Sequence, residues 1–266
     1  YRDGWTMEGP EKSFTRLSRW IEEGLERWVL SSESKVTVVV RRFKRNLQEL
    51  KPDLESRRLL WLPNGYEPDD FRDLEPIRPA GDRTVLYYMG SFFGRRSPEA
   101  LFGALAALLA GRPELRERVV LAFAGRESGG VKQWAAARGI EKNVLTLGYL
   151  DHRAALSHLM GADGALLLID ENLPSLVSGK TYEYMASGKP VFALVPPDGE
   201  AAGLIRHYGR GLVASASAGQ GAVVALGEFI DSLPELGGRK VSTYYQVFHR
   251  KRIAGRLARL LDSLIG

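Results

Sequence analysis

Short apolar runs alternate with helical segments from Val85 to Leu194, and this alternation restricts the fold more than any other feature. Five runs are predicted to be buried strands: Val85–Met89, Val119–Ala124, Val144–Leu147, Gly164–Ile169 and Pro190–Leu194. Strands that are apolar throughout are typical of sheets covered by helices on both faces. Because strands joined through helices run parallel with right-handed crossovers, we predict an α/β fold with a doubly wound parallel sheet.

The segments between these runs carry helix signals. Ser97 and Pro98 suit the start of a helix, and Glu99 suits its positive end. Gly139 and Gly188 suit the position just after a helix. The predicted helices start at Ser97 and cover Val131–Arg138, Arg153–Met160 and Lys180–Ser187.

Both ends of the chain differ from this central part. Before the sheet the chain holds one predicted strand–helix–strand unit: Lys35–Val40, Phe43–Leu50 and Leu59–Leu62. An apolar helical stripe from Phe14 to Trp28 precedes the unit, and an amphipathic helix is predicted over Val247–Ile265. One such unit is too little for an independent domain, so we predict an incomplete second α/β domain. Since the first residue is Tyr1 and not Met, we expect the natural protein to extend further.

Composition excludes several kinds of site. The chain has no cysteine, which excludes disulfides, thiolate zinc sites and a cysteine nucleophile. Its 37 Lys and Arg against 32 Asp and Glu give a net charge of +5, which favours anionic partners such as phosphates or nucleotides. The apolar stretch Leu101–Ala110 is shorter than the roughly 20 residues of a bilayer span. The histidines lack metal-ligand spacing and are interpreted as surface or core residues: His152, His158, His207 and His249.

Ligands of open parallel sheets bind beyond the carboxyl ends of the strands, so the loops there are candidate sites. The first loop is Gly90–Ser97. Its glycine lets a ligand approach the backbone, Arg95 and Arg96 offer planar forks for phosphate oxygens, and a helix start follows. The competing interpretation is a solvated turn with two surface arginines.

The second candidate loop leads into the helix that begins near Ser178. Gly179 and Lys180 lie at the helix start, where free N–H groups and the helix dipole attract anions. Glu183 lies about one turn after Lys180, so both side chains can face one ligand. A cation for phosphate and a carboxylate for two ribose hydroxyls suit a nucleotide. The alternative is a capped helix with an ordinary acidic first turn.

Three further patterns have competing interpretations. Ser178–Thr181 resembles the end of a P-loop, although the full pattern needs a glycine where this chain has Pro174. Asp69–Asp70 could form a metal-binding pair, but a pair of acids after a turn is the simpler interpretation. The basic residues Arg41–Arg45 could touch nucleic acid, but one basic helix is more often a solvated face.

Several blocks occur in an order that resembles a known family. They are Leu62–Phe71 with its Pro-Asn-Gly turn, Val85–Gly90, Gly125, Gly148–Leu150 and Lys180–Val191. Together they resemble the C-terminal half of retaining GT-B glycosyltransferases of the "glycosyl transferases group 1" type, from about Val36 onward. The resemblance implies two Rossmann-like domains that face a cleft. It assigns 79–245 to the nucleotide-sugar-binding domain, 1–78 to a remnant of the acceptor-side domain plus linker, and 246–266 to a helix that packs back toward that remnant.

The resemblance also implies roles for residues. Glu183 would hold the donor ribose, the Ser178–Thr181 amides the diphosphate, and Tyr149–Leu150 the base. The implied donor-binding set is Gly90, Ser91, Arg95, Arg96, Arg126, Tyr149, Leu150, Ser175, Ser178, Gly179, Lys180, Thr181 and Glu183. Ser175 replaces an acid that normally touches the donor sugar, and Ser91 replaces a frequent arginine. A Ser-Gly-Lys-Thr variant occurs in related bacterial polysaccharide transferases, and the catalytic residues would belong to the other domain.

The implied function is transfer of a sugar from a UDP- or GDP-linked donor to a glycan or lipid-linked acceptor, with retention at the anomeric carbon. The resemblance implies no metal, no other cofactor and no nucleic-acid partner, and we expect this fragment alone to be inactive. We expect a cytoplasmic location, and the basic helices Arg41–Arg45 and His249–Arg259 would suit an anionic membrane face. The alternatives are a non-catalytic or partner-dependent nucleotide-sugar-binding subunit, a GT-B sugar epimerase and a P-loop nucleoside triphosphatase.

Overall fold

The computed structural model describes residues 1, 5–6, 15–32, 35–92, 97–126, 130–240 and 243–265. The N-terminal part folds as helix α1 (Arg16–Ser32), strand β1 (Val36–Val38), helix α2 (Arg41–Leu50) and strand β2 (Leu59–Trp61). β1 and β2 pair in parallel, and Phe43 and Leu47 of α2 are buried in a small core with them. The predicted strand–helix–strand unit is therefore confirmed.

Six parallel strands form the main sheet of the described chain. They are β3 (Thr84–Met89), β4 (Val119–Ala124), β5 (Val144–Gly148), β6 (Gly164–Leu168), β7 (Val191–Leu194) and β8 (Gly211–Ala214). Their spatial order is β5-β4-β3-β6-β7-β8, so the first strand of this sheet lies in its middle and the winding reverses beside it. The predicted α/β fold with a doubly wound parallel sheet is confirmed, and the five predicted strands are present with ends shifted by no more than one residue.

Helices cover both faces of this sheet. They are α3 (Glu99–Gly111), α4 (Val131–Ala136), α5 (His152–Gly161), α6 (Gly179–Ala186), α7 (Glu200–Tyr208) and α8 (Gln220–Gly238), and helix α9 (Arg250–Ile265) follows. Leu86 and Tyr88 of β3 belong to the core under α3 and α8, and Val85 and Tyr87 to the core under α5 and α6. This two-sided burial explains why the strand sequences are apolar throughout.

The helix starts and ends differ slightly from the prediction. α3 begins at Glu99 with Pro98 at the N-cap position, so the predicted cap at Ser97 and first helical position at Pro98 each lie one residue too early. The Glu99 N–H still donates to Ser97 Oγ at 3.1 Å. The side chain of Asp151 accepts the Ala154 N–H at 2.8 Å and caps α5. Gly188 follows α6 with φ +74°, the left-handed conformation expected after a helix.

The sequence pattern does not predict β8, α7 or α8. β8 is a four-residue strand at the edge of the sheet, and most of its residues are only half-buried. α8 contains several glycines and Pro234, which lower intrinsic helix propensity, yet its buried face packs closely on α3. Tertiary packing, not local propensity, holds these elements.

The apolar stripe of α1 faces outward in the described chain. Trp20 and Trp28 are each 69% exposed, and Leu25 between them is also exposed. The buried residues of the helix are Glu26 and Leu30. The helix itself is confirmed, but its stripe is not part of the core. Phe14, at the start of the predicted stripe, lies outside the described residues.

Several contacts join the N-terminal part to the rest of the chain. The Arg42 N–H donates to the carboxylate of Glu200 at the start of α7. Arg256 of α9 donates to the Trp61 carbonyl at 2.7 Å, and the Arg250 N–H donates to the Tyr66 carbonyl at 3.1 Å. α9 begins three residues later than predicted, because Thr243–Phe248 forms a 3-10 helix. Within the described ranges, the helices are too short or too polar to cross a bilayer.

Candidate functional site

The winding of the sheet reverses between β3 and β6, and a crevice opens beyond their carboxyl ends. A cavity of about 330 Å³ lies there, lined in part by Tyr88, Ser97 and Asp170. A larger cavity of about 710 Å³ lies at the opposite edge, beside Thr84 and Pro190. Because ligands of open α/β sheets bind at the carboxyl edge, the smaller cavity and its surrounding loops form the candidate site.

Lys180 reaches from the first turn of α6 to the end of β3. Its Nζ lies 3.9 Å from the ring centroid of Tyr88. A side chain on Gly90 would collide with the same nitrogen, and Gly90 has φ +141°, which L residues rarely adopt. Gly90 therefore makes room for the Lys180 ammonium, and the two residues place a positive charge at the carboxyl end of β3.

The loops after β3 and β4 contact each other through their backbones. A Cβ on Gly125 would collide with the Gly90 carbonyl, so only glycine fits at this contact. The Arg126 N–H donates to Ser91 Oγ at 2.9 Å and ties the two loops together. Ser91 thus has a local structural role, because it joins the loop after β3 to the loop after β4.

Tyr149 presents an open aromatic ring beyond the carboxyl end of β5. Its exposed fraction is 68%, and the guanidinium carbon of Arg126 lies 5.3 Å from the ring centroid. Leu150 is partly buried and packs against the core below. A flat base could stack on Tyr149 and Arg126, because both present π surfaces.

The first turn of α6 has open space beside it in the part of the chain that the structure describes. Ser178, which precedes the helix, has extended dihedrals, and a Cβ on Gly179 would meet no described atom within 4 Å. The first N–H groups of a helix have no acceptor within it and can bind an anion. Thr181 differs, since it is fully buried and its N–H donates to the Ser178 carbonyl at 3.0 Å. Its role in this geometry is to shape the turn.

Glu183 follows one turn after Lys180 on the same helix, and its side chain is 18% exposed. His152 Nε2 lies 3.0 Å from Glu183 Oε1. The Met89 N–H donates to the Tyr184 hydroxyl at 2.9 Å, which fixes α6 against the end of β3. Burial raises the pKa of Tyr184 well above its ordinary value, so the phenol stays neutral at pH 7.

His152 is a residue of the site that the sequence pattern does not indicate. The four histidines are scattered along the sequence, but His152 and Glu183, 31 positions apart, are hydrogen-bonded in the structure. His152 begins α5 directly after the loop that follows β5. The rule that selected the other loops, namely that ligands bind after the strands, could therefore have found it.

The loop between β6 and α6 is fastened to its neighbours. The Pro174 carbonyl accepts the Glu200 N–H at 2.8 Å, which holds the loop on α7. Ser175 is buried beside a cavity of about 410 Å³ that Arg42 and Asn46 of α2 also line. The chain has Pro174 where a P-loop has glycine, and the Pro174 carbonyl is bonded to α7, which disfavours the P-loop alternative.

Two predicted phosphate ligands, Arg95 and Arg96, lie outside the described residues. Their role stays a prediction. Across the part of the chain that the structure describes, no group of three or more His, Asp or Glu side chains is arranged to hold a metal ion.

The described chain is an α/β protein. Near the point where the winding of its sheet reverses, it brings together the Lys180 ammonium, the start of α6 and the Glu183 carboxylate. The chain belongs to the glycosyl transferases group 1 family, whose model matches residues 70–232. The matched region contains the whole crevice, from β3 to α6. No curated protein sequence matches the chain significantly.

Solved structures share the fold at low sequence identity. HepE from Anabaena, solved in complex with UDP-glucose, has a TM-score of 0.67 and 19% identity over 97% of this chain and 70% of its own. A glycosyltransferase from Rickettsia africae has a TM-score of 0.70 and 15% identity over 91% and 67%. WaaG, a glycosyltransferase involved in lipopolysaccharide biosynthesis, has a TM-score of 0.59 and 18% identity over 80% and 60%. The present chain thus spans 60% to 70% of these proteins' length.

Proposed function

We propose that this chain is the donor-binding part of a retaining glycosyltransferase that takes a sugar from a nucleoside-diphosphate sugar. One observation carries the proposal: Lys180, the open start of α6 and Glu183 lie within one helical turn, beside the crevice. A cation and free N–H groups suit a diphosphate, and a carboxylate suits the paired hydroxyls of ribose. The UDP-glucose bound to the Anabaena protein is a ligand of this chemistry.

The proposed roles follow the position of each group. The diphosphate would lie between Lys180 and the Gly179 N–H, with Arg95 or Arg96 beside it. The ribose would bind Glu183, and the base would stack on Tyr149 next to Arg126. As the glycosidic bond breaks, charge grows on the leaving diphosphate. Fixed cations and helix N–H groups stabilise that charge in the transition state without paired carboxylic acids.

For the acceptor side we propose the limits of the domains, the class of acceptor and the location of the protein. Residues 1–78 would belong to the acceptor-side domain and 79–245 to the donor domain, with 246–266 crossing between them. A glycan or lipid-linked acceptor is proposed, together with a cytoplasmic location at an anionic membrane face. The five basic residues of α9, which has no buried residue, support the membrane part of this proposal.

Calorimetry with UDP, GDP and ADP, each free and sugar-linked, tests the donor proposal. We expect micromolar to millimolar binding of at least one nucleotide, with the sugar-linked form bound by the same residues. Glu183→Ala should weaken binding by roughly 1–3 kcal/mol, the cost of losing hydrogen bonds to a charged group. Glu228 is exposed on α8, away from the crevice, so Glu228→Ala is the matched control and should bind like the wild type.

Absence of binding by every nucleotide in a folded protein would overturn the proposal. Equal losses in Glu183→Ala and Glu228→Ala would also contradict it, because the effect would then be general. Catalytic transfer by the protein without a partner would exclude the alternative of a partner-dependent subunit.

A further inference from the structure

His152 lies between two carboxylates at the start of α5, beyond the carboxyl end of β5. Its Nε2 is 3.0 Å from Glu183 Oε1, and its Nδ1 is 3.8 Å from Asp70 Oδ2. An ionised carboxylate only accepts hydrogen bonds, so the proton of this contact is on Nε2. The Nδ1 distance exceeds a hydrogen bond, and this contact is an ion pair only when the imidazole is protonated. The imidazole therefore lies between the two acids, with one nitrogen facing each.

Asp70 is held in place by α5 itself. It belongs to a 3-10 turn, Pro68–Phe71, that follows the Pro-Asn-Gly segment. Arg153, next to His152, donates to the carbonyls of Arg72 at 3.3 Å and Asp73 at 2.8 Å. The ring of Phe71 packs edge-on against Tyr66 at 6.3 Å between centroids. These contacts fix the turn on the start of α5.

The acidic residues next to Asp70 and next to His152 have other partners, and in this respect they differ from Asp70. Asp69 pairs with Arg72 at 2.5 Å, and Asp151 caps α5 through the Ala154 N–H. Asp70 is thus the acid of this turn that faces His152. The contact with His152 is made by Oε1 of Glu183, and a carboxylate has about four lone-pair positions, which leaves acceptor positions on both oxygens for a ligand.

We propose that His152 is a positioning residue that fixes the Glu183 carboxylate for the ribose hydroxyls, and that Asp70 orients the imidazole. This inference rests on the proposed function. A glutamate side chain has three rotatable bonds, and binding a vicinal diol through both oxygens restricts all of them. If the Glu183 side chain is already ordered before the ligand binds, less conformational entropy is lost on binding. The affinity for the ribose then rises, while the contacts with the rest of the ligand do not change. Asp70 and His152 thereby link the Pro-Asn-Gly segment to the nucleotide site.

The inference predicts a change in ribose recognition that general damage would not cause. The probe is whichever of UDP, GDP and ADP binds best, compared with its 2′,3′-dideoxy analogue by calorimetry on the full chain. In His152→Ala the ribonucleotide should lose about fivefold to tenfold in affinity, the size of one ordinary hydrogen bond. The dideoxy analogue, which has no hydroxyls for Glu183, should keep its affinity.

Further variants separate positioning from folding. His152→Gln places an amide N–H near the position of Nε2 and should recover most of the ribonucleotide affinity. Asp70→Asn should give a smaller loss with the same ribose selectivity. In a Glu183→Ala background, His152→Ala should have no further effect, because its target is gone. His207→Ala, at an exposed histidine on α7, is the matched control and should bind normally.

The outcomes distinguish this inference from the proposed function. If the wild type binds no nucleoside diphosphate, the proposed function and the inference both fail. If the wild type prefers the ribonucleotide and His152→Ala keeps the same preference, only the inference fails. If His152→Ala does not fold, His152→Asn, which is too short to reach Glu183, takes its place with the same expected loss.

Discussion

The ammonium nitrogen of Lys180 lies 3.9 Å from the ring centroid of Tyr88, so a cation from α6 sits over the end of β3. Tyr88 is buried and stacks on Phe92 at 4.7 Å with an interplanar angle of 9°. The ring attracts the ammonium through its negative face and limits its motion. A cation that is already placed costs less to recruit when a diphosphate arrives.

Lys180→Met should weaken nucleoside-diphosphate binding by roughly 1.5–3 kcal/mol, the range for hydrogen bonds to charged groups. The loss should be smaller for the nucleoside monophosphate and absent for the nucleoside, because these ligands carry less charge. Calorimetry with the three ligands measures the difference. Lys132, exposed on α4, is the matched control, and Lys132→Met should bind normally. Equal losses for the nucleoside and the diphosphate would contradict the assignment of Lys180.

Gly90→Ala should weaken nucleotide binding and lower the free energy of unfolding by roughly 1–2 kcal/mol. The new methyl group pushes the flexible end of Lys180 from its place, and φ +141° is strained for alanine. Gly103 lies within α3 with no described atom near its missing Cβ, so Gly103→Ala should keep binding and gain about 1 kcal/mol from helix propensity. Urea unfolding and calorimetry on both variants test this pair, and normal binding by Gly90→Ala would refute the proposed close contact.

Tyr149→Ala should weaken binding of the nucleotide by about 1 kcal/mol and leave the free energy of unfolding unchanged. The ring is 68% exposed, so its removal costs little packing, while a stacked base loses its platform. Ribose 5-phosphate, which has no base, should bind both proteins alike. A Tyr149→Ala loss that is the same for ribose 5-phosphate would show that the ring does not contact the base.

The sheet could be predicted from the sequence because each buried strand is a continuous apolar run that ends at a turn. β4 is an example, since all six of its residues are buried and Gly125 follows it. β8 escaped prediction because an edge strand with half-buried residues carries no such signal. α1 shows a different limit of sequence patterns. Periodicity predicts the helix but not whether its apolar face packs against the rest of the protein, and Trp20 and Trp28 are exposed.

The site was partly predictable because the fold class alone indicates where ligands bind. Gly90, Lys180 and Glu183 lie after strands or at a helix start, which is where ligands of this fold class bind. The pairing of His152 with Glu183 was not predictable from spacing, because it joins residues on α5 and α6 across the carboxyl edge of the sheet. The burial of Thr181 was not predictable either. The few residues at the start of α6 are too short a pattern to indicate which side of the helix faces the core.

Two buried tyrosines provide a final, matched test of the core beneath the site. Tyr87 and Tyr184 are both fully buried, but the hydroxyl of Tyr184 accepts the Met89 N–H, whereas that of Tyr87 has no hydrogen-bond partner among the described residues. Tyr87→Phe should therefore raise the free energy of unfolding by about 1 kcal/mol, because a buried unpaired hydroxyl is costly. Tyr184→Phe should lower it by about 1 kcal/mol, because the Met89 N–H loses its acceptor. Urea unfolding at pH 7 measures both changes, and a loss of stability in Tyr87→Phe would contradict the unpaired state of its hydroxyl.

The same two variants predict a pH dependence. Burial raises the pKa of both phenols above their ordinary value of 10.0. Between that value and the raised pKa, the unfolded chain releases a proton that the native protein retains, so the free energy of unfolding falls as pH rises above about 10. Each phenylalanine variant removes one such group and should lose stability less steeply with pH than the wild type. Urea unfolding from pH 8 to pH 11 gives these slopes, and slopes equal to the wild-type slope would mean that these two phenols ionise alike in the folded and unfolded states.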